Sequence, residues 1–201
     1  MEHYYKLSKD EEQRAVDIHR KSIVIEGLES NLEWQEPATY FKKLVEAGYS
    51  AANHTTSVMN HTSFARARDI PSFDVLLRRI GERYEWVDEN PDSAMIVTSV
   101  DDIEVAKRDK KFGLILGVQQ GTRFLGDDLS KLRIVRRLGL MVAQLTYQYR
   151  NFIGDGCGER TDAGLSKFGV KFVEEMNRLG MVVDLSHGGK ATTMDAIEVS
   201  K

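Results

Sequence analysis

Residues 140–187 read LMVAQLTYQYRNFIGDGCGERTDAGLSKFGVKFVEEMNRLGMVVDLSH, and this stretch decides the fold. It opens on a short apolar run, LMVAQLTY (140–147), of strand length. A polar loop follows. Phe172, Val173, Met176 and Leu179 then recur at helical spacing, and Gly180 stops the pattern. MVVDLSH (181–187) is a second apolar run of strand length. Strand, loop, helix and strand in that order make a βαβ unit, whose two strands lie parallel.

The same unit recurs outward from this stretch. GLILGV (113–118) is a strand, followed by a helix face of Leu129, Leu132, Val135 and Leu138 that ends at Gly139. Further back, Phe73, Leu76, Leu77, Ile80 and Tyr84 mark one helix face. YSAANHTTS (49–57) reads as a weak strand after a helix over 39–48. IVIEG (23–27) reads as a strand buried on both faces, as in a parallel sheet. Ser8 with Glu11 has the spacing of a capping box for a helix over 8–21, and Ser99 with Asp102 caps a short helix. A final helix covers 191–200. The unit repeats about five times, which gives an α/β class with a parallel sheet and outer helices. Periodicity leaves an open doubly wound sheet and an incomplete (β/α)8 barrel as alternatives.

Composition sets the outer limits. The chain has 201 residues, 41% hydrophobic and 29% charged, so it can bury a core and stay in solution. Lys+Arg 28 against Asp+Glu 31 leaves a net charge of −3, with no excess of basic charge to suit a duplex nucleic acid. The single cysteine, Cys157, excludes an intrachain disulfide framework. No apolar run approaches the ~20 residues of a membrane span. The opening MEHYYKLSKDEEQRA is too charged for a signal peptide, so a cytoplasmic location is expected. No linker composition divides the chain, and residues 1–201 are expected to form one domain.

In either parallel architecture ligands bind at the carboxyl ends of the strands. Those ends carry Leu28, Glu29 and Ser30; His54, with His61 beyond it; Gln119, Gln120 and Gly121; Tyr147, Arg150, Asn151 and Asp155; and Asp184, Ser186 and His187. His187 is the sharpest of these, since an imidazole at a strand end can bind a cation or move a proton. Its plainer reading is a hydrogen-bonded strand-end histidine. His54 and His61 lack a neighbouring carboxylate and read first as a polar loop. Asn151 and Asp155, in NFIGDGC, read equally as turn formers or as a polar rim to a substrate cleft. Cys157 has no adjacent base and reads as inert. GVQQGT lacks the spacing of a phosphate-binding loop.

The order and wording of these motifs resemble the membrane dipeptidase (renal dipeptidase) family of the amidohydrolase superfamily. Residues 138–187 carry most of the likeness through GLS-x-FG, NRLG and DLSH. GLILGVQQG (113–121) and SIVIEGLES (22–30) add to it. The resemblance implies a (β/α)8 TIM-type barrel with a two-zinc site at its carboxyl face, where a bridging hydroxide cleaves dipeptides. Leu28 and Ser30 stand where the family has His and Asp, and Gln119 stands where it has the bridging Glu. A divergent branch of the family looks to have the same losses. His187 matches one of the family's later histidine ligands, and Tyr147 falls at a substrate-contacting position.

The resulting expectation is an incomplete barrel of about five βα units, the N-terminal part of the fold. It would be a hydrolase of dipeptides or related small amides with a degenerate site. His187, with Gln119 as a weak ligand, would hold zinc, one ion rather than two. Tyr147, Asn151 and Asp155 would contact the substrate. The open sheet edges of such an arc call for a homo-oligomer or a complementing C-terminal half. A non-catalytic binding module on the same scaffold, or a gene fragment, is the alternative.

Overall fold

The computed structural model describes residues 6–29, 36–56 and 72–201. Helices and strands alternate: α1 (Lys9–Lys21), β1 (Ile25–Glu29), α2 (Pro37–Glu46), β2 (Ala51–Thr55), α3 (Phe73–Glu89), β3 (Ala94–Val97) and α4 (Val100–Arg108). Then come β4 (Phe112–Val118), α5 (Gly121–Leu125), α6 (Leu129–Arg137), β5 (Val142–Gln144), α7 (Lys167–Arg178), β6 (Val182–Asp184) and α8 (Lys190–Val199). Both expected capping boxes form. Ser8 Oγ accepts from the Glu11 amide while Glu11 accepts from Ser8, and Ser99 and Asp102 do the same for α4. Pro37 occupies the first turn of α2, where its missing N–H is not needed.

All the strand pairs are parallel, in the order β1-β2-β4-β5-β6. The sheet curls into half of a barrel with the helices packed on its outside, as the α/β expectation required. β3 is additional to the strands expected. It pairs with the first half of β4, Ala94 opposite Phe112 through Val97 opposite Ile115, and β5 takes over the same edge at Gly117 and Val118. The short helix α5 is likewise additional.

The two faces of the sheet differ. Ala52, Leu114, Leu116, Val118, Ala143 and Leu145 face the helices and join Phe41, Leu76, Leu132, Phe172 and Met176 in one core. Alternation puts Ala51, Asn53, Gly113, Gly117 and Val142 on the other, inner face. A Cβ on Gly113 would press on Ala51, and one on Gly117 would collide with Asn53 and lie beside Val142, which ties these residues to one side.

The expectation that the first strand is buried on both faces is corrected. In β1 only Glu29 is buried, while Ile25 and Leu28 are 48% and 45% exposed. β1 pairs with β2 alone among the described strands, so its outer edge and inner face meet solvent. β6, at the other end of the order, is similarly open, with Val182 59% exposed. Among the described residues no helix is long and apolar enough to cross a membrane.

Candidate functional site

β6 ends in an Asx turn in which Asp184 Oδ1 accepts from the Ser186 amide at 2.8 Å. The next residue, His187, takes a left-handed backbone with φ +62°. For a residue with a Cβ that conformation costs roughly 1–2 kcal/mol. It is held by its surroundings. The His187 carbonyl accepts from the Cys157 amide at 2.8 Å, and Gly188 forms a bridge with Gly156. The half-buried imidazole stacks against Tyr147, with ring centroids 4.0 Å apart and planes tilted by 32°.

Gln119 follows β4 directly and is half-buried. Its neighbour Gln120 is also left-handed, with φ +52°, and its amide donates to Gln144 Oε1 at 3.3 Å. Gln144 is buried at the end of β5. The carboxyl ends of β4 and β5 are thus joined through a carboxamide.

The loop after β5 is built from the two other residues expected to face substrate. Asn151 Nδ2 donates to the Leu145 carbonyl at 2.8 Å, and its Oδ1 accepts from Ile153 N at 2.7 Å and Gly154 N at 3.3 Å. Asp155 is buried. It takes both arms of the Arg150 guanidinium and the Ala163 amide, the latter at 2.7 Å. The Arg150 bond, and after it the Ala163 amide, hold the Asp155 carboxyl below the usual carboxylate range. The Asp155 amide donates to Thr192 Oγ1 on α8, and the Gly189 amide donates to the Asp155 carbonyl. Both side chains hold the loop together, and the Asp155 backbone fastens it to the start of α8. Cys157 is exposed, and its amide holds the His187 carbonyl.

The ends of β1 and β2 are organised differently. His54 is fully buried, not part of a polar loop, because the register that pairs Glu29 with His54 turns both toward the helices. Glu29 Oε2 lies 2.8 Å from His54 Nδ1, and Tyr40 Oη donates to Glu29 Oε1 at 3.4 Å. Arg83 Nε donates to His54 Nε2 at 3.0 Å, and its guanidinium lies 4.4 Å from the centre of the Trp86 ring. Since Arg83 donates to Nε2, the imidazole proton sits on Nδ1, facing Glu29. Arg83 went unnoticed in the sequence. Its signal was its place in the apolar stripe of α3, three residues after Ile80 and seven after Leu76. Ser30 and His61 lie outside the described residues.

A zinc centre takes four N, S or O ligands around each ion. Among the described residues no three His, Cys, Asp or Glu side chains group closely enough to hold one. Leu28 offers hydrocarbon and Gln119 a neutral amide, so the described residues do not fit a two-zinc site. His187 is the imidazole they place at the mouth.

Comparison with known proteins agrees with this architecture. The family model of membrane dipeptidase (Peptidase family M19) matches residues 12–201. Dipeptidase tcpJ of Claviceps purpurea is 33% identical over 150 residues, covering 74% of this chain and 33% of that protein. The uncharacterized dipeptidase C965.12 of Schizosaccharomyces pombe is 34% identical over 116 residues, 56% of this chain and 28% of that one. The chain spans about a third of the length of these curated relatives. An amidohydrolase from Pseudomonas aeruginosa superimposes with a TM-score of 0.80 at 32% identity, over 92% of this chain and 52% of that one. A Rhodobacter sphaeroides metallo peptidase, solved with a phosphinate mimic of L-Ala-D-Ala, superimposes at 0.73 with 18% identity over 89% and 62%, a likeness of fold. With its half-barrel of parallel strands and a family match running from residue 12 to residue 201, the chain belongs to the membrane dipeptidase family, M19.

Proposed function

We propose that this chain is an N-terminal portion of a hydrolase of dipeptides or related small amides, with a degenerate metal site. Within the family frame, one observation carries the reading: His187 occupies a left-handed backbone at the mouth of the half-barrel. Glycine adopts that backbone without the Cβ clash, and two glycines follow immediately. Strain of this kind persists where the surroundings enforce it, and it clusters at functional sites. Tyr147 covers one face of the imidazole. The ring nitrogens bind in the plane of the ring, so the stack leaves them available to a proton or a cation.

In this reading His187 is the imidazole ligand of a single zinc ion whose other donors come from residues beyond those described. Zinc there would polarise an amide carbonyl. The chain's own part is to bind and orient. Tyr147 faces the substrate and steadies His187. Gln119 is a weak, neutral neighbour of the ion. Asn151 and Asp155 act through the loop they hold. A homo-oligomer or a complementing C-terminal half would cover the exposed edges at β1 and β6.

The test is hydrolysis of dialanine stereoisomers by the purified protein, with zinc content measured on the same sample. Zinc-dependent hydrolysis lost in His187→Ala supports the reading. Binding of the dipeptides without turnover overturns it in favour of a non-catalytic relative, an outcome that the neutral residues Leu28 and Gln119 would favour.

A further inference from the structure

We infer that Asp162 is a positioning residue for His187: its carboxylate caps α8 from the loop after β5 and so fixes the turn that aims the imidazole. The role of the imidazole rests on the proposed function. Which side chain holds it in place goes beyond that reading.

Between His187 and α8 stand only Gly188 and Gly189, and glycine backbone has little stiffness of its own. The left-handed φ of +62° at His187 is therefore kept by contacts from outside the turn. Three come from one loop. The Cys157 amide donates to the His187 carbonyl at 2.8 Å, the Gly189 amide to the Asp155 carbonyl at 2.9 Å, and the Ala191 amide to Asp162 Oδ2 at 2.6 Å. Of these three, only the last is made by a side chain.

α8 receives that side chain in place of a cap of its own. Its N-cap residue, Gly189, has no side chain to offer, and Ala191 is the second residue of the helix, whose amide an N-cap oxygen ordinarily takes. Asp162 takes it from 29 positions away. Its negative charge also suits the positive end of the helix. The other oxygen, Oδ1, accepts from the Gly164 amide at 3.1 Å, so one half-buried carboxylate joins loop and helix. Gly189 makes room for it, since a Cβ there would lie 2.5 Å from Oδ2. With φ −63° and ψ 159°, the Gly189 backbone is one that alanine adopts freely, so the close approach, and not strain, calls for the glycine.

NMR of the protein with isotope-labelled histidine, in EDTA, reads the ring directly. The His187 resonances are assigned by their absence in His187→Ala. Stacked on Tyr147, the ring carries a ring-current shift. Asp162→Ala should move its resonances toward those of unfolded histidine, and Asp162→Asn, which keeps a capping oxygen, should restore them. Gly189→Ala keeps the carboxylate but pushes it off Ala191, and should move the ring as Asp162→Ala does. Asp128→Ala removes the cap of α6, where Asp128 accepts from the Ser130 amide at 2.8 Å, and should lower the melting temperature without moving the ring. In zinc, Asp162→Ala should slow dipeptide hydrolysis by about tenfold or more. An unmoved ring in Asp162→Ala or Gly189→Ala, no rescue by Asp162→Asn, equal movement in Asp128→Ala, or unchanged hydrolysis in Asp162→Ala overturns the inference. Hydrolysis by the parent with an unmoved ring in the variants leaves the proposed function standing. A ring that moves as expected in a protein that hydrolyses no dipeptide does the reverse.

Discussion

The Glu29 carboxylate meets Nδ1 of His54 at 2.8 Å inside the wall between the sheet and its helices, with both side chains buried. β1 has little else to hold it. Its other residues are exposed, and β2 is its one strand partner among those described. The pair therefore fastens the carboxyl end of an edge strand to β2, and through Arg83 to α3. Removing the carboxylate leaves the buried Nδ1–H of the neutral His54 without its acceptor, which costs about 1–3 kcal/mol. Glu29→Ala is expected to lower stability by that order in urea unfolding. Arg83→Met, which removes a charge but fills the space beside Trp86, should cost less.

A surface cluster on α7 gives the protein an acid-sensitive element. Glu175 accepts from Arg178 and from Arg133 on α6, and these bonds, Arg178 first, hold its carboxyl down at about 2 against an ordinary 4.5. The folded state therefore binds this proton less readily than the unfolded chain. The stabilisation is present in full above pH 4.5 and is lost as pH falls toward 2. Thermal melts of the protein and of Glu175→Gln should differ most at neutral pH. The two should converge as pH falls through that window. A gap that stayed constant would assign the effect to packing and not to charge.

His187 allows backbone and side chain to be separated. His187→Gly relieves the left-handed strain but loses the stack on Tyr147, an aromatic pair worth about 0.5–1.5 kcal/mol. The two effects nearly cancel, so its melting temperature should stay close to that of the parent. His187→Ala loses the stack and keeps the strain, and should melt lower. Both should lose hydrolysis equally if the imidazole is the functional group.

What the sequence revealed and what it hid follow from where each signal resides. The capping boxes at Ser8 and Ser99 are local, since each partner lies three residues away, and they formed as read. The periodic faces of α6 and α7 were legible for the same reason. β3 carries only the four residues AMIV, and its strand character comes from pairing with β4, which no local pattern records. The exposure of β1 depends on its place at the end of the strand order, a property of the whole sheet. At the site, His187 was legible from its position after an apolar strand. Its contact with Tyr147 joins two strand ends and was not. The burial of His54 against the helices, beside Glu29, was hidden by the register shift between Glu26 and Glu29, which sets the face Glu29 takes.

Gly169 offers a test of how the loop after β5 is seated. It lies in the first turn of α7, where its amide donates to Ser166 Oγ at 2.9 Å. A Cβ there would collide with the Ile153 carbonyl, so the backbone of the loop rests directly on the helix. In an unconstrained helix Gly→Ala is stabilising by roughly 1 kcal/mol. Here the methyl group would push residues 151–155 away from α7, and with them the Asn151 and Asp155 bonds that hold the loop near Tyr147. Gly169→Ala is therefore expected to destabilise the fold in chemical denaturation and to speed amide exchange at Ile153 and Gly154. Gly180→Ala is a suitable contrast: its Cβ would meet nothing within 4 Å, but its φ of +64° strains any side chain, so it should lose stability without loosening the loop.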